Sequence, residues 1–231
     1  MYTGASLDVV PANFVWAALT GPQREFAEHG ARAARYRPEY GPFAAVRDWN
    51  DDEAWHDLAR LAGPGAFLGL AGLDVRTPRG WHVDLRHETL QMVARSVEPD
   101  ARTEVAPLGP ADTPEMLGLV DRAQPGPFGE RTGELGTYLG IRREGALVAM
   151  AGERFRAPGW TEISAVCTDP AYRRRGFAGA LVRELATRIH ARGGRAFLHV
   201  REKNADAVRL YESLGFVVEA MPLFVGLTVP E

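Results

Sequence analysis

The sequence predicts an α/β (α+β) fold in which a mixed central sheet is flanked by helices. One observation is the apolar run Ile163 to Cys167, which precedes a basic, glycine-containing turn and then an amphipathic helix. A second is the order of patterns along residues 103–231, namely β, α, α, three strands, α, β, α, β, β. Residues 1–98 carry their own helix and strand patterns, so we expect two α/β halves of unequal character.

Composition sets bounds on the class of protein. The chain has 231 residues, enough for one large domain or two small ones, and a formal net charge of −3. That charge provides no general attraction to nucleic acid or to an anionic membrane, so we expect neither as a partner. The single cysteine excludes an internal disulfide. With neither a signal-like N-terminus nor an apolar run near 18 residues, a cytoplasmic location is expected.

The first half is predicted to contain short helices and strands. Helices are expected between Asn13 and Gly21, over residues 23–34, and from Asp51 or Asp52 to Gly63. Strands are expected at 43–46, 66–70 and 81–85, with residues 90–94 forming a further strand or a helical turn. The polar segment Glu98 to Arg102, broken by Pro99, is the expected boundary with the second half.

The second half, 103–231, follows a clearer pattern. Strands are expected at 105–108, 138–142, 146–154 and up to Cys167, and later at 196–200, 216–218 and 223–227. Helices are expected from Asp112, from Ala178, and from Asn204 to Gly215. The Gly- and Pro-rich stretch 124–136 is predicted to be a loop.

The basic turn has the composition of an anion-binding site. It comprises Arg173, Arg174, Arg175, Gly176, Phe177, Ala178 and Gly179. Glycine lets a backbone approach a ligand closely, and the unpaired N–H groups of a helix N-terminus suit a phosphate or pyrophosphate. The turn lacks the sequence patterns of a P-loop and of a dinucleotide-binding fold, which disfavours a nucleotide-phosphate binder.

Two motifs resemble those of the GNAT (Gcn5-related) N-acetyltransferases. Residues 173–178, Arg-Arg-Arg-Gly-Phe-Ala, are similar to the Arg/Gln-x-x-Gly-x-Gly/Ala signature of that family. Residues 204–216 resemble its Asn-x-x-Ala-x-x-Leu-Tyr-x-x-x-Gly-Phe block, in the expected order and separation. With residues 162–168 they resemble the FR47-like bacterial branch, over roughly residues 103–231. The first half has the right elements for a degenerate second copy of the fold.

This resemblance implies acetyl-coenzyme A as cosubstrate and a set of site residues. The turn from Arg173 to Gly179 would hold the pyrophosphate, and the backbone of Val166, Cys167 and Thr168 would pair with the pantetheine arm and polarise the thioester. Tyr211 would protonate the departing thiolate. Asn204 would contact the coenzyme, although capping of its helix explains it almost as well. In the family the loop corresponding to 124–136 lines the acceptor side, although solvated surface charges fit it equally well.

The general base is less clearly indicated. Strict alternation places Glu162 with Ser164 and Val166 on one face of their strand, opposite Ile163, Ala165 and Cys167, which makes Glu162 a candidate base. It could instead bind the acceptor or form a structural pair. Glu153 is the reserve candidate, and some members of the family use water.

Other reactive residues fit structural roles better. Cys167 lacks a patterned His or Asn partner for nucleophilic catalysis, and His199 has the apolar neighbours of a hydrogen-bonded core histidine. The histidine spacing indicates no metal site. We therefore expect direct acetyl transfer to a primary amine of a small molecule or to an amino terminus. The alternative is a non-catalytic coenzyme A-binding sensor or interaction protein. The sequence leaves the oligomeric state open.

Overall fold

The computed structural model describes residues 9–97 and 103–231, so the expected boundary at Glu98 to Arg102 lies outside the described residues. The helices are α1 Phe14–Leu19, α2 Asp52–Ala62, α3 Thr113–Ala123, α4 Phe177–Ala191 and α5 Ala205–Ser213. The strands are β1 Ala27–His29, β2 Ala33–Tyr36, β3 Ala44–Val46, β4 Phe67–Gly72, β5 His82–Glu88, β6 Leu90–Ala94, β7 Ala106–Leu108, β8 Tyr138–Arg143, β9 Ala146–Ala157, β10 Trp160–Thr168, β11 Arg195–Val200, β12 Phe216–Ala220 and β13 Leu223–Thr228.

A seven-stranded mixed sheet forms the centre of the molecule, in the order β12-β6-β11-β10-β9-β8-β7. The β10–β11 pair is parallel and the other neighbours are antiparallel. Helices α4 and α5 pack on one face over a cluster that includes Leu181, Leu198 and Leu214. Helix α3 and the first half cover the opposite face. The predicted mixed α+β fold, with a sheet flanked by helices, is confirmed. The predicted order of two helices before β8, β9 and β10 is wrong among the described residues, because α3 is followed there by a 3₁₀ turn at Thr132–Leu135 and not by a second α-helix.

Strands are exchanged between the two predicted halves. β6, from the first half, lies between β11 and β12 of the second. In return β13, at the end of the second half, lies between β4 and β5 of the first. The division into 1–98 and 103–231 stays a prediction, and backbone pairing crosses it in both directions.

The helix predicted over residues 23–34 is wrong. This segment forms a short 3₁₀ turn at Arg24–Phe26 followed by the β1–β2 hairpin. Two tertiary interactions account for the difference. The buried Gln23 amide donates to the carbonyls of Leu135 and Arg154 at 3.1 and 2.7 Å, and the Asp57 carboxylate on α2 accepts the Arg32 and Ala33 amides. Helix propensity is a weak preference that such buried partners override.

Other local predictions are confirmed by their caps. The Asn13 side chain accepts the Trp16 N–H at 3.2 Å and begins α1, and Asp51 accepts the Glu53 N–H at 3.1 Å and begins α2. Residues 90–94, open between strand and helical turn, form a strand.

Candidate active site

Strands β10 and β11 separate in the middle of the sheet. Their parallel pairing runs from Trp160 to Ile163 on β10 and ends there. Between Ser164 and Cys167 the register with β9 shifts by one residue, and Ala165 has a φ of 51°. This bulge leaves backbone groups of β10 facing the gap instead of a neighbouring strand.

The bulge also corrects the expected alternation along β10. Ile163 and Val166 pack against the same core cluster, whereas Ala165 and Cys167 pack against the cluster on the α3 side. Placing Val166 opposite Ile163 was therefore wrong, because a left-handed residue interrupts the two-residue period.

The basic turn lies at the N-terminus of α4. Gly176, the N-cap residue, has a φ of 80°, and the Ala180 N–H donates to its carbonyl at 3.0 Å as helical bonding begins. A Cβ atom on Gly176 would meet nothing within 4 Å among the described atoms, so the space in front of the helix is open. The amides of Phe177, Ala178 and Gly179 precede the first helical bond and suit an anion.

The three arginines of the turn are exposed to solvent. The Arg175 guanidinium stacks 4.9 Å from the Tyr172 ring centre, and Arg174 has a left-handed φ of 61°. Arg173 Nε makes a long contact, 3.5 Å, with the Thr168 carbonyl. Positive charge therefore surrounds the open end of the helix.

Helix α5 packs beside this turn. A Cβ atom on Gly179 would lie 3.5 Å from Leu210, which brings α4 and α5 into close contact. The Asn204 side chain caps α5 by accepting the Ala207 N–H at 3.3 Å, so the capping role considered for it is confirmed. A contact of Asn204 with the coenzyme stays a prediction.

Tyr211 is 7% exposed and packs with Phe216, their ring centres 6.2 Å apart. Burial raises the pKa of Tyr211 to about 12, so the phenol is protonated at neutral pH. Its hydroxyl has no hydrogen-bond partner within residues 9–97 and 103–231. A protonated hydroxyl that bonds to none of the described residues can donate to a ligand.

Glu162 is fully buried and forms a tight ion pair. Arg154 donates through Nε and Nη2 to the two carboxylate oxygens at 2.7 and 2.8 Å, and His199 Nδ1 lies 2.6 Å from Oε1. Burial alone would raise the pKa of Glu162, but the Arg154 charge, followed by the His199 contact, brings it down to about 2. A carboxylate so stabilised is a weak base. The base role of Glu162 stays a prediction, and the geometry favours the structural pairing left open for it.

A second irregularity, in β9, makes this pair possible. The register between β9 and β10 shifts between Thr161 and Ile163, which places the neighbouring Arg154 and Phe155 on the same side of the sheet. The Arg154 guanidinium lies 4.6 Å from the Phe155 ring centre and 4.8 Å from that of Phe43. Sequence reasoning missed Arg154. Its signal was a charge inside an apolar strand, which needs a buried partner.

The remaining candidates have structural contacts. Glu153, 2% exposed, pairs with Arg192 at 2.8 Å. Burial raises the pKa of the Cys167 thiol to about 12, which removes its nucleophilic thiolate. His199 is a buried, hydrogen-bonded histidine, as expected, with Phe14 stacked on its ring at 4.8 Å. The described parts of the chain hold no cluster of three or more His, Cys, Asp or Glu suited to a metal.

Tyr138 was not singled out from the sequence as a site residue. Its ring crosses Gly152, where a Cβ atom would lie 2.2 Å from the ring. In the pairing registers Tyr138 lies opposite Gly152, and Gly152 opposite Ser164 at the β10 bulge. The Tyr138 hydroxyl is buried and has no hydrogen-bond partner in the described part of the chain. Glycine at 152, which a large neighbouring ring requires, was the available signal.

Comparison with known proteins agrees with this geometry. The family model described as FR47-like protein matches residues 138–225, which contain the bulge, the basic turn and α5. The chain is 31% identical over 118 residues to the [ribosomal protein bS18]-alanine N-acetyltransferase of Escherichia coli, covering 48% of this chain and 79% of that protein. The chain belongs to the GNAT family of N-acetyltransferases.

Other relatives extend the comparison. The N-alpha-acetyltransferase RimI of Mycobacterium tuberculosis is 43% identical over 82 residues, which span 34% of this chain and about half, 51%, of that relative. A GNAT-family crystal structure from Novosphingobium aromaticivorans is 38% identical with a TM-score of 0.87, covering 96% of this chain and 99% of that one. A GCN5-related N-acetyltransferase from Kribbella flavida, 16% identical, shares the fold with a TM-score of 0.66 over 93% and 95% of the two chains. The likeness to the first structure thus includes both halves.

No helix among the described residues is long and apolar enough to span a membrane.

Proposed function

We propose that this protein transfers an acetyl group from acetyl-coenzyme A directly to a primary amine. The observation that carries the proposal is that three features lie next to one another in the second half. The β10 bulge opens the sheet, the strand leads into the Gly176-capped N-terminus of α4, and α5 packs there with the protonated Tyr211. The thioester, the pyrophosphate of the coenzyme and the departing thiolate would each have a binding partner along this stretch: the bulge, the N-terminus of α4 and Tyr211.

The coenzyme would be held chiefly by the second half. Its pyrophosphate would accept hydrogen bonds from the amides of Phe177 to Gly179 beside the exposed arginines, helped by the helix dipole. The backbone of Val166 to Thr168, next to the bulge, would pair with the pantetheine arm and donate to the developing oxyanion. A donor of this kind contributes on the order of 3 kcal/mol to transition-state stabilisation.

Proton transfer would use Tyr211 as the acid. Its hydroxyl would donate to the departing thiolate, which matches its raised pKa and the lack of a hydrogen bond among the described residues. For the base, Glu162 and Glu153 are both buried in ion pairs, at 2.7 and 2.8 Å from arginines. Because both carboxylates are already paired, water is favoured as the group that deprotonates the amine, and the proton would pass from it to the surface.

The first half would be a degenerate copy of the same fold. In each half a helix connects two strands that make a parallel contact. These elements are β3, α2 and β4 in the first half and β10, α4 and β11 in the second. An exchanged antiparallel strand follows in each, β13 or β6. The first turn of α2 is acidic, with Asp52 and Glu53, where α4 follows three arginines. An acidic helix start repels a pyrophosphate, so this half would shape the acceptor site instead.

The acceptor would be a small-molecule amine or an amino terminus. The Escherichia coli relative is named for an alanine of a ribosomal protein, which supports the second choice by analogy only. A non-catalytic coenzyme A-binding protein is the alternative. It would need the basic turn but would not need Tyr211 to be protonated and available.

Calorimetry and thiol release together test the proposal. Acetyl-coenzyme A should bind the wild-type chain, and Gly176→Glu should abolish binding because it adds a strained, negatively charged side chain at the pyrophosphate position. Gly176→Ala is the control, since it adds the strain of the positive φ without the charge. Release of coenzyme A thiol with any of a panel of amines supports transfer. Binding without thiol release would favour the non-catalytic sensor. A wild-type chain that binds neither coenzyme A nor acetyl-coenzyme A would refute both the transferase and the sensor.

A further inference from the structure

A further arginine lies beside the basic turn, outside the residues that resemble the family motifs. Arg143 ends β8, and its guanidinium carbon lies 4.8 Å from the ring centre of Phe177, the first residue of α4. The Phe177 amide is one of those proposed to bind the pyrophosphate. A cation from the β8–β9 hairpin therefore contacts a residue of the coenzyme site, and the motifs do not account for it.

The sheet brings this hairpin to the same end of the molecule as the basic turn. Because β9 and β10 are antiparallel, the start of β9 lies beside the end of β10, with Ala149 opposite Thr168. The N–H of Asp169, which leads into the turn, donates to the Val148 carbonyl at 2.8 Å. Backbone bonding thus fixes the hairpin relative to the turn, and Arg143 is positioned there by the fold.

The two successive arginines of the hairpin differ in their partners. Arg142 donates to Glu115 at 2.7 and 2.9 Å and to Asp112 at 2.6 Å, so carboxylates compensate its charge. Arg143 is exposed and donates to the Arg142 carbonyl at 2.6 Å, but it pairs with no carboxylate among residues 9–97 and 103–231. The neighbouring Glu144 forms no ion pair within those residues either. The charge of Arg143 is therefore available to an anionic ligand.

Coenzyme A carries phosphate in two places, a diphosphate in its chain and a separate 3′-phosphate on its ribose. The 3′-phosphate is a monoester, and such a group bears roughly −1.5 to −2 charges at neutral pH. The diphosphate already has proposed partners in the amides of α4 and the arginines of the turn. Arg143 comes from a different segment of the chain, so it matches the phosphate that is separate from the diphosphate.

We propose that Arg143 binds the 3′-phosphate and makes the protein selective for coenzyme A over its 3′-dephospho form. The proposal rests on the proposed coenzyme site and adds a specificity-determining residue to it. Stacking on Phe177 and the bond to the Arg142 carbonyl hold the guanidinium in place, and its other N–H groups remain to donate to phosphate oxygens. An arginine so held loses little side-chain freedom when the ligand binds.

The test is a double-mutant cycle between the side chain and the ligand. Calorimetry on the full chain, at one salt concentration, measures the dissociation constants of coenzyme A and 3′-dephospho-coenzyme A for the wild type and for Arg143→Gln. Arg143→Lys keeps the charge. Arg175→Gln removes a charge within the turn, and Arg79→Gln removes one from an exposed arginine between β4 and β5 in the first half.

We expect the wild type to bind coenzyme A about tenfold more tightly than the dephospho form, the size of effect of one hydrogen bond to a charged group. Arg143→Gln should lose this preference and still bind the dephospho form as the wild type does, which shows that its site is intact. Arg143→Lys should retain most of the preference. Arg175→Gln should weaken both forms by the same factor, and Arg79→Gln should weaken neither.

Three results would overturn the proposal while leaving the coenzyme site in place. They are equal weakening of both forms by Arg143→Gln, which would assign Arg143 to the diphosphate, no effect of that variant on either form, and a preference that depends on Arg175 instead. A wild type that binds neither form would refute the coenzyme site itself, and with it the proposed function.

Discussion

His199 Nδ1 lies 2.6 Å from Oε1 of Glu162, across β10 and β11 where their pairing ends. Burial lowers the pKa of His199 although the Glu162 contact opposes this, so the imidazole is neutral at pH 7 and can donate its Nδ1–H to the carboxylate. Arg154 completes the set from β9. The three side chains link the strands on both sides of the opening and hold them at a fixed separation.

Replacing Glu162 by Gln should destabilise the fold strongly. It leaves the buried Arg154 guanidinium without its counter-charge, and breaking one side of a buried pair costs about 3–5 kcal/mol in the free energy of unfolding. Urea unfolding at pH 7 measures the loss. Glu184→Gln is the control, since Glu184 pairs with Arg188 on the surface of α4 and such pairs contribute about 0–1 kcal/mol. Equal free energies of unfolding for Glu162→Gln and the wild type would show that Glu162 has no structural role.

The same pair should make the protein sensitive to acid. The pKa of Glu162 falls from an ordinary value of about 4.5 to about 2 on folding, so its stabilisation is present above pH 4.5 and is lost as the pH falls toward 2. Unfolding free energies measured between pH 6 and 2.5 should decline more steeply for the wild type than for Glu162→Gln. Parallel curves would contradict the assignment.

Tyr211→Phe should lower turnover by roughly 10²–10⁴ with little change in coenzyme affinity, because it removes only the proposed proton donor. Stability should hardly change, since the hydroxyl bonds to none of the described residues. Steady-state thiol release and calorimetry on one preparation measure both effects. Near wild-type turnover across pH would assign the proton to water or to the acceptor, whereas joint loss of binding and turnover would indicate packing.

Local signals in the sequence predicted most of the second half. The basic turn, the Asn204 cap and the strand pair before β10 each depend on neighbouring residues, and each lies where its pattern placed it. The family motifs identified the candidate residues on β10, α4 and α5 for the same reason.

Long-range contacts could not be predicted in this way. The buried Gln23 bonds to the Arg154 carbonyl 131 residues away and prevents the expected helix. The bulge at Ala165 reverses the face of Val166, and alternation alone cannot show an extra residue. Exchange of β6 and β13 also leaves no local signal, because either strand pattern fits either sheet.

Cys167→Ala should retain turnover within a few-fold of wild type. Direct transfer needs no acyl-cysteine, and burial keeps the pKa of this thiol near 12, far above neutral pH. Removing one buried sulfur should cost about 1 kcal/mol of stability. Iodoacetamide at pH 8 should accordingly leave the folded wild type active. Loss of turnover in a stably folded Cys167→Ala, together with an acetylated wild-type cysteine found by mass spectrometry, would support a covalent route instead.

A fragment comprising residues 103–231 should not fold alone. It contains the basic turn, α5 and Tyr211, but it lacks β6, which pairs with β11 on one side and β12 on the other. Without β6, β12 loses its neighbouring strand and β11 keeps only its pairing with β10, and the core loses the buried Met92 and Val93. Unpaired buried backbone groups are costly, so the expected readout is a fragment without a cooperative thermal transition or coenzyme binding.

Co-expression of residues 1–98 with 103–231 is the control for the expected loss of folding and coenzyme binding in the fragment. If strand exchange is what the fragment lacks, the two pieces should associate, recover a cooperative transition and bind acetyl-coenzyme A, since β6 and β13 are then both present. A 103–231 fragment that folds and binds the coenzyme by itself would show that β6 is dispensable, and that the second half is an independent domain.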